Sequence, residues 1–429
     1  MTMGMDEKRI SLFGNFGSLN LGNECTLQAI IHHIRRLSPG ADIECICTNP
    51  EDVSSRHGIP AIPMSRRLAG TLPEGSRKHR KPLVWRLARL LFVRFPWEIV
   101  DWARAIKTLT GRGMLVMTGT GMLTDCTEGP FGLAYQIFKW AVSAKLCRLQ
   151  LSFVSVGVEP VRLRLTTFFI NTSLRLADYV SFRDRHSRDY MQTMGYHGRG
   201  SIFPDLAFSL PEKILPGPKA ETSPRDIVGV GLFDYVGRGG GGIAQERLYR
   251  DYVQKLSAFV AWLVDRGHPV RVLIGDIRYD NPVRDDFRAS LAAKGIQYGE
   301  YNITDEPVFS VRNLLDQIAA TDMVVATRYH NIVLALMLQK PVISISYERK
   351  NDALMAALGL SDYCQCIDRF DVQRLTEQFA QLEKNAAGVT TQIQRKTTEY
   401  RNALGEQFAT LFAPHSPARG TAHPFIDRK

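Results

Sequence analysis

The sequence predicts an α/β protein with two doubly wound domains, each made of parallel β-strands and α-helices. The first observation is the length of 429 residues, which exceeds one ordinary domain. The second is that short runs rich in valine, isoleucine and leucine alternate with helical patterns, as in parallel sheets covered on both faces. The third is a break with four prolines at residues 211–226, after which the alternation starts again. Together they predict a crevice between two domains, at the carboxyl ends of the strands.

The composition narrows the protein class. Of the residues, 45% are hydrophobic and 23% are charged, which is ordinary for a globular protein with a sizeable core. We expect neither a secretory signal nor a transmembrane helix, because no basic stretch precedes an apolar one at the N-terminus and no 18-residue stretch is free of charge. Seven cysteines without framework spacing fit a reducing cytosol. The C-x-C pairs Cys45/Cys47 and Cys364/Cys366 are interpreted as buried small side chains, with a metal pair as the alternative.

The first domain is expected to span residues 1–212. Its first strand, "RISLFG", is followed by the helical pattern "ECTLQAIIHHIRRL". The predicted strands of this domain lie at residues 9–14, 41–48, 113–119, 151–157, 179–184 and 201–208.

The second domain is expected to span residues 226–385, after a linker at 213–225. A long helical pattern near 246–266 follows its first strand. The C-terminal segment, residues 386–429, is expected to be a helix followed by a disordered tail. The predicted strands of this domain lie at residues 226–232, 270–276, 323–327 and 342–347.

The loop after the first strand holds the first candidate site residues. Its glycines let the backbone bend and approach a ligand closely, although their spacing matches neither the dinucleotide fingerprint nor the P-loop. Asn20, Asn23 and Glu24 add more polar groups at the start of the first helix than one cap needs. The alternative is simple capping, with Asn23 as the cap and Glu24 beside the positive helix end.

The stretch "TRYHNIVLALMLQKPVISISYERK" holds the second group of candidates. Arg328 and His330 follow a buried strand and open an apolar helix, where free N–H groups, the helix dipole and a guanidinium favour an anion. His330 either donates a hydrogen bond to that anion or moves a proton near neutral pH. Lys350 follows the neighbouring strand, so we expect these cations to meet one anionic ligand. A structural histidine and a solvated lysine are the alternatives.

Three further strand ends carry weaker signals. Arg183 stands beside Asp184, either at a site or in a surface ion pair. Asp205 lies near the linker and is either a site residue or a turn residue. Arg238 precedes four consecutive glycines, which form either a floppy insertion or a loop that folds over an anion.

The order of these motifs resembles the polysaccharide pyruvyl transferase family, over about residues 10–385. The resemblance is carried by "GNFGSLNLGNE", "GTGMLTD", "SVGVEP", "SFRDRHS", "PDLAF" and "TRYHNIVLALMLQKPVISISYERK". It implies a GT-B-like architecture, with two Rossmann-like domains facing a cleft and a C-terminal helix crossing back. It also implies transfer of the enolpyruvyl carbons of phosphoenolpyruvate onto two hydroxyls of one sugar, which gives a cyclic ketal and phosphate. The chain reads Gly-Asn-Glu at 22–24 and Gly-Thr-Gly at 119–121, where relatives more often have Gly-Asp-Glu and Gly-Gly-Gly.

The resemblance also implies roles for the candidate residues. His330 would protonate the methylene carbon of the donor, a role that supplies roughly 10²- to 10⁴-fold. Glu24 would orient or deprotonate an acceptor hydroxyl. Phosphoenolpyruvate is a co-substrate, and no cofactor or metal is expected. The expected donor-binding residues are Arg183, Arg238, Arg328 and Lys350. The expected acceptor-binding residues are Asn20, Asn23 and Asp205.

Most of the net charge of +11 belongs to one segment, residues 66–112, where twelve lysines and arginines face three acids. Aromatic residues are interleaved with these cations, which suits peripheral contact with an anionic membrane carrying a lipid-linked acceptor. The alternative is a helix that packs its tryptophans inward. Nucleic acid is not expected as a partner, since no helix-turn-helix, zinc knuckle or RNP-like strand is found.

The predicted protein is a cytoplasmic transferase, at the inner face of the membrane, that adds a pyruvate ketal to a bacterial-type exopolysaccharide, capsule or cell-wall glycan precursor. A glycosyltransferase of the same fold with a nucleotide-sugar donor is the main alternative. A family member that only binds glycan is a third.

Overall fold

The computed structural model describes residues 8–65, 95–125, 129–217, 226–235, 243–299 and 302–413. Within these ranges it contains two parallel β-sheets and thirteen α-helices, as the sequence predicts for two doubly wound domains. The predictions for Arg238, for most of the basic segment and for the disordered tail fall on residues outside these ranges. The proposed domain boundaries stay predictions.

The first sheet has seven strands in the order β3-β2-β1-β4-β5-β6-β7. The predicted strand at 201–208 is a strand only at its first two residues, because Asp205 caps a 3-10 helix over Leu206–Ser209. The strands are β1 (Arg9–Phe13), β2 (Asp42–Cys47), β3 (Ala61–Pro63), β4 (Met114–Thr118), β5 (Gln150–Val156), β6 (Tyr179–Phe182) and β7 (Ser201–Ile202). The helices of this part are α1 (Leu21–Leu37), α2 (Pro50–His57), α3 (Phe95–Leu109), α4 (Leu133–Leu146), α5 (Arg164–Leu176) and α6 (Arg185–Thr193).

The second sheet has six strands in the order β10-β9-β8-β11-β12-β13. Two short edge strands, β10 and β13, were not among the predicted ones, since two or three residues give no periodic signal. The strands are β8 (Val228–Gly231), β9 (Val270–Leu273), β10 (Ile303–Thr304), β11 (Met323–Ala326), β12 (Val342–Ser346) and β13 (Cys364–Cys366). The helices are α7 (Ile243–Asp265), α8 (Asn281–Ala292), α9 (Val311–Ala319), α10 (Tyr329–Met337), α11 (Arg349–Ala357), α12 (Val372–Lys384) and α13 (Ala386–Phe412).

The strand order changes direction once in each sheet, between β1 and β4 and between β8 and β11. Ligands of open parallel sheets bind outside the carboxyl ends of the strands at such points. In this protein the two carboxyl edges face each other, because the loop after β1 pairs with the loop after β9 through a β-bridge between Asn20 and Asp276. The cleft between the sheets is therefore the place to look for a site.

The C-terminal helix α13 crosses back from the second domain to the first. It follows α12 directly and ends on the first sheet, where Gln407 Nε2 donates to Ser181 Oγ at 2.7 Å. Its buried side chains belong to one apolar cluster that includes core residues of both domains. The predicted crossing is confirmed. Among the helices within the described ranges, none combines the length and apolar character needed to cross a bilayer.

The two C-x-C pairs differ in burial. Cys45 and Cys47 are both buried in that same apolar cluster, which confirms the interpretation of this pair as core side chains. In the other pair, Cys364 is partly buried and Cys366 is exposed.

Candidate active site

Two helix N-termini, one from each domain, meet at the cleft. Helix α1 begins at Leu21 and helix α10 begins at Tyr329. Gly22 packs directly on the ring of His330: a Cβ added to Gly22 would lie only 1.9 Å from His330 Nδ1. The start of each helix carries partial positive charge, which favours an anion. The first N–H groups of α1 are already paired, that of Leu21 with the carbonyl of Gly275 and the next ones with Asn20, so only the start of α10 is considered as an anion site.

The cap of α1 is Asn20 rather than Asn23. Asn20 Oδ1 accepts from the backbone N–H groups of Gly22 at 3.1 Å and Asn23 at 3.3 Å. The Asn23 side chain instead donates to the carbonyl of Asn15 at 2.9 Å. The capping alternative therefore named the wrong residue, since the helix starts three residues before the apolar pattern indicates.

Asn20 also ties the two domains together. Its Nδ2 donates to Asp276 Oδ2 at 2.9 Å, and the backbone carbonyl of Leu19 accepts from Ile277 N at 3.0 Å. Leu19 has a positive φ of 64°, an unfavourable conformation that these contacts hold in place. Both the Oδ1 and the Nδ2 of Asn20 therefore have hydrogen-bond partners within the protein. A direct contact of Asn20 with an acceptor stays a prediction.

Asp205 lies at the centre of the cleft, between His330 and Arg183. Its Oδ2 is 3.3 Å from Arg183 Nη1 and 3.7 Å from His330 Nε2, while its Oδ1 accepts from the backbone of Ala207. Burial lowers the pKa of His330 to about 4; Asp205 opposes this change, whereas the nearby Arg183 and Lys350 reinforce it. The imidazole is therefore neutral at pH 7 and stands next to a carboxylate that stabilises its charged form.

Arg183 is buried with part of its hydrogen-bonding capacity unused. Its guanidinium stacks on the ring of Tyr329, with 4.5 Å from Cζ to the ring centre. Its Nε and Nη2 are buried and make no hydrogen bond to any residue in the described ranges. A buried donor of this kind is costly unless a partner arrives. Its Nε does lie 3.6 Å from Asp184 Oδ2, but Arg183 is only 5% exposed, so the alternative of a surface ion pair is wrong in its placement and not in its partner.

Arg183 lines a cavity of about 420 Å³ between the domains. The cavity runs from the start of α6 to α11 and is closed on one side by Tyr400 of α13. Its charged lining consists of Arg183, Asp184, Arg185, His186, Arg188, Asp205 and Lys350. With four lysines and arginines against two carboxylates, this lining is net positive, and its volume suits a small molecule.

Lys350 bridges the two domains at the edge of this cavity. Its Nζ lies 2.8 Å from Glu159 Oε1, in the loop after β5, and 2.7 Å from Glu348 Oε2. The ammonium also lies 5.0 Å from the ring centre of Tyr347. The lysine is nearly buried, so the alternative of a solvated lysine is wrong.

Arg328 pairs with a buried carboxylate of the protein. Its Nε and Nη2 donate to the carboxylate of Asp280 at 2.8 and 2.6 Å, and its guanidinium stacks on Phe233 at 4.6 Å. The pair is buried, with Arg328 4% and Asp280 0% exposed. An anion would have to compete with this bidentate pair, so the structure favours a positioning role at the start of α10 over direct donor binding.

Glu24 is likewise committed to the protein. Its Oε1 accepts from the backbone of Gly17 at 2.8 Å, and its Oε2 lies 2.8 Å from His57 Nε2. The carboxylate is buried and holds the loop after β1. Its contact with an acceptor hydroxyl stays a prediction.

Sequence reasoning missed several residues of this site. Glu159 and Tyr329 stand inside quoted motifs but received no role, although Glu159 follows a strand end and the same rule would have found it. Arg185 and Arg188 follow Arg183 by two and five residues, and sequence reasoning did not separate them from the general excess of arginine. Among the described residues no cluster of His, Cys, Asp or Glu has an arrangement suited to a metal ion.

A family model described as polysaccharide pyruvyl transferase matches residues 20–349 of the chain. This span contains every site residue described above except Lys350, which directly follows it, and Tyr400. None of the curated proteins compared with the chain matches it significantly.

Solved structures resemble the whole chain at low sequence identity. The S. aureus MnaA–UDP structure has a TM-score of 0.57 and 10% identity, covering 96% of this chain and 100% of its own. UDP-GlcNAc 2-epimerase from Neisseria meningitidis bound to UDP-GlcNAc has a TM-score of 0.54 and 11% identity, covering 94% and 99%. A UDP-glucose:anthocyanidin 3-O-glucosyltransferase in complex with UDP has a TM-score of 0.54 and 9% identity, covering 95% and 100%. These are enzymes of the GT-B fold, which confirms the predicted architecture.

Proposed function

Because the chain belongs to the polysaccharide pyruvyl transferase family, we propose that it moves the pyruvyl carbons of phosphoenolpyruvate onto a saccharide as a cyclic ketal. The observation that carries the proposal is a net-positive cavity between the domains that Arg183, Asp205 and Lys350 line, with His330 3.7 Å from the Asp205 carboxylate. A donor with a phosphate and a carboxylate needs several cations at one place.

The donor is assigned to the cavity beside Arg183. Nε and Nη2 of Arg183 make no hydrogen bond within the described residues and supply a fork for one anionic group, with Asp184 Oδ2 3.6 Å from Nε as the competing anion. Lys350 supplies a point charge for the other group. Helix α10 adds its N-terminal dipole. When the donor binds, Lys350 would move partly away from Glu159 and Glu348. Its ion pairs within the protein would then be replaced by a contact with the donor.

His330 is the proposed proton donor to the methylene carbon. Its imidazole is neutral in the empty site, so it becomes an acid only when the donor's negative charges raise its pKa, with Asp205 in support. The proton goes to C3, C2 becomes electrophilic, and one acceptor hydroxyl oxygen bonds to C2. His330 is then neutral again and able to take the proton that this hydroxyl loses.

The second step closes the ketal. The bond between C2 and the phosphate oxygen breaks, phosphate leaves with the electron pair, and the second hydroxyl of the same sugar bonds to C2. The proton of that hydroxyl passes to the departing phosphate, so atoms and charges balance over the two steps. Arg183 and Lys350 stabilise the phosphate as it leaves.

The acceptor is proposed to be a glycan precursor of the bacterial exopolysaccharide, capsule or cell-wall type, linked to a lipid carrier at the cytoplasmic face of the membrane. The basic segment at 66–112 supports this choice through its charge, with twelve lysines and arginines against three acids. The loop after β1 stands across the cleft from His330 and is the proposed acceptor side, through its backbone rather than through Glu24.

The test is incubation of the purified chain with phosphoenolpyruvate and a panel of lipid-linked oligosaccharides, with measurement of phosphate release and of the added pyruvate ketal by mass spectrometry. Thermal stabilisation by phosphoenolpyruvate and by nucleotide sugars is measured in parallel. Stabilisation by nucleotide sugars alone would favour a glycosyltransferase. Stabilisation by phosphoenolpyruvate without phosphate release from any acceptor would favour a binding protein that lacks the chemistry.

A further inference from the structure

The large exposed apolar side chains of the described structure are concentrated in one region. Nine such residues are strongly exposed within the described ranges, and eight of them lie in or directly before α3, α4 and α5 of the first domain. Leu146 stands apart at the far end of α4. The other seven are here called the apolar rim. They are Trp97, Ile99 and Val100 on α3, Phe131 before α4, and Leu163, Leu165 and Phe168 at the start of α5.

The three helices that carry the rim contact one another through aromatic side chains. The ring centres of Phe138 and Phe168 are 6.2 Å apart, those of Phe131 and Phe169 are 6.1 Å apart, and Trp102 of α3 lies 6.3 Å from Phe138. Buried residues of all three helices share one cluster under the first sheet. The helices therefore form one layer, and the rim residues lie on the exposed parts of that layer.

The rim lies at the edge of the sheet where the cleft opens. In a parallel sheet, a connecting helix begins at the carboxyl edge of the strands, and the rim residues stand at the beginnings of their helices. Only four residues separate Leu163 from Glu159, which contacts Lys350 across the cleft. A surface that docks on the rim is thus brought to the mouth of the candidate site.

Positive charge accompanies the rim. Arg162 and Arg164 are exposed and alternate with Leu163 and Leu165 along the chain. The carboxylate of Asp125 is occupied by the backbone N–H groups of Arg162 and Leu163, so it faces the loop and does not pair with these arginines' side chains. The chain that leads into α3, residues 66–94, carries nine lysines and arginines against one acid.

We propose that the apolar rim docks on an anionic lipid bilayer, with its aromatic side chains in the headgroup layer and its arginines against lipid phosphates. Exposed aromatic and aliphatic residues flanked by arginine are the composition that such an interface selects. The apolar residues alone would suit a protein partner. The arginines that alternate with them favour a negatively charged surface. The docking itself does not depend on the proposed function. The idea that docking presents a lipid-linked acceptor to the cleft does rest on it.

The test is flotation of the full chain with vesicles of phosphatidylcholine, with and without phosphatidylglycerol. We expect binding to the anionic vesicles, and a drop of about tenfold or more for the double variant Phe131→Ser, Phe168→Ser. Phe309→Ser is the matched control, because Phe309 is as exposed as Phe131, at 66%, but lies in the second domain. The double variant Arg162→Glu, Arg164→Glu should lose binding to anionic vesicles, and added salt should weaken binding of the parent protein.

Three outcomes would overturn the proposal. The first is vesicle binding by the Phe131/Phe168 variant equal to that of the parent, since residues elsewhere, such as 66–94, would then carry it. The second is the absence of vesicle binding by the parent. The third is an equal loss of binding by Phe309→Ser at an unchanged melting temperature, since the apolar residues of the rim would then have no special part in binding. A change from dimer to monomer without lipid binding would identify the rim as an interface between copies.

Turnover with a water-soluble acceptor separates this proposal from the proposed function. Rim variants should keep the parent's rate of phosphate release, because no rim residue lines the cavity at Arg183. If the parent and the variants bind or fail to bind vesicles as expected, but none of them releases phosphate from phosphoenolpyruvate, the docking proposal is supported and the proposed reaction is wrong.

Discussion

Lys350 of the second domain and Glu159 of the first form an ion pair across the cleft, with 2.8 Å between Nζ and Oε1. Glu348 lies 2.7 Å from the same ammonium, so one cation holds two carboxylates. The pair is nearly buried, where charge interactions are strong and an unpaired charge is costly. An anion that binds Lys350 would therefore compete with a contact that joins the two domains.

Lys350→Ala should weaken binding of phosphoenolpyruvate by about tenfold or more, as expected for a lost hydrogen bond to a charged group. The two carboxylates left behind would also repel the donor. Titration calorimetry with phosphoenolpyruvate measures the effect. Lys396→Ala is the control, because Lys396 makes a similar ion pair with Glu399 on the exposed face of α13. Equal affinity of both variants would contradict a donor contact by Lys350.

Gly22→Ala should lower the turnover number without unfolding the protein. The new Cβ would fall 1.9 Å from Nδ1 and 2.1 Å from Cγ of His330, so the imidazole must move. Misplacing a catalytic group by about 1 Å costs on the order of 10²-fold in rate. The measurement is phosphate release at saturating donor.

Gly388→Ala is the matched control for Gly22→Ala. No atom lies within 4 Å of the Cβ position at Gly388, which is in helix α13. Alanine there should be neutral or should stabilise the helix by about 0.5–1 kcal/mol. An unchanged rate in Gly22→Ala would show that the contact between α1 and His330 has no part in catalysis.

Arg328→Ala should lower the free energy of unfolding by about 3–5 kcal/mol, because it leaves the carboxylate of Asp280 buried without its bidentate partner. The sequence alone predicts weaker donor binding as the first effect. Urea denaturation followed by circular dichroism distinguishes the two. Arg312→Ala, which removes an exposed pair with Asp316, should cost less than about 1 kcal/mol.

The double variant Arg328→Ala, Asp280→Asn should recover part of this loss, since no buried charge is then left alone. A stable Arg328→Ala protein with weak donor binding would restore the original assignment of Arg328 to the donor.

His330→Ala should abolish turnover and leave the fold intact, and His330 should make donor binding dependent on pH. Burial holds the pKa of His330 near 4, so the imidazole of the free protein is neutral at pH 6–7. Negative charge on the donor raises that pKa, and binding therefore takes up protons. Donor affinity should increase as the pH falls from 7.5 to about 5.5.

Calorimetry in two buffers of different ionisation enthalpy counts the protons taken up. The donor's own phosphate contributes equally to the parent protein and to His330→Ala, so the difference between them isolates His330. The same proton uptake in both proteins would exclude His330 as the acid.

The sequence locates these residues better than it assigns their partners. Arg328 follows a strand and opens a helix, as the local pattern predicts, but its partner Asp280 comes from the loop after β9. Asn20 and Asp276 are 256 residues apart, and their hydrogen bond exists only because two separate sheets close on each other. The same holds for Glu24. Its position near the start of α1 was predicted from the sequence, whereas its pairing with His57 was not.

By itself, the sequence determined the two parallel sheets and the set of side chains at the strand ends, because apolar runs, helical periodicity and turn residues are local properties of the chain. The crossing helix was implied by the family resemblance. Only the tertiary structure decided which of those side chains meet each other and which line the cavity. Arg183 has two buried nitrogens without a hydrogen bond among the described residues, whereas Arg328 and Glu24 pair with groups of the protein. The physical reason is that a buried charge must be paired, and its partner is set by the packing of distant segments rather than by its neighbours in sequence.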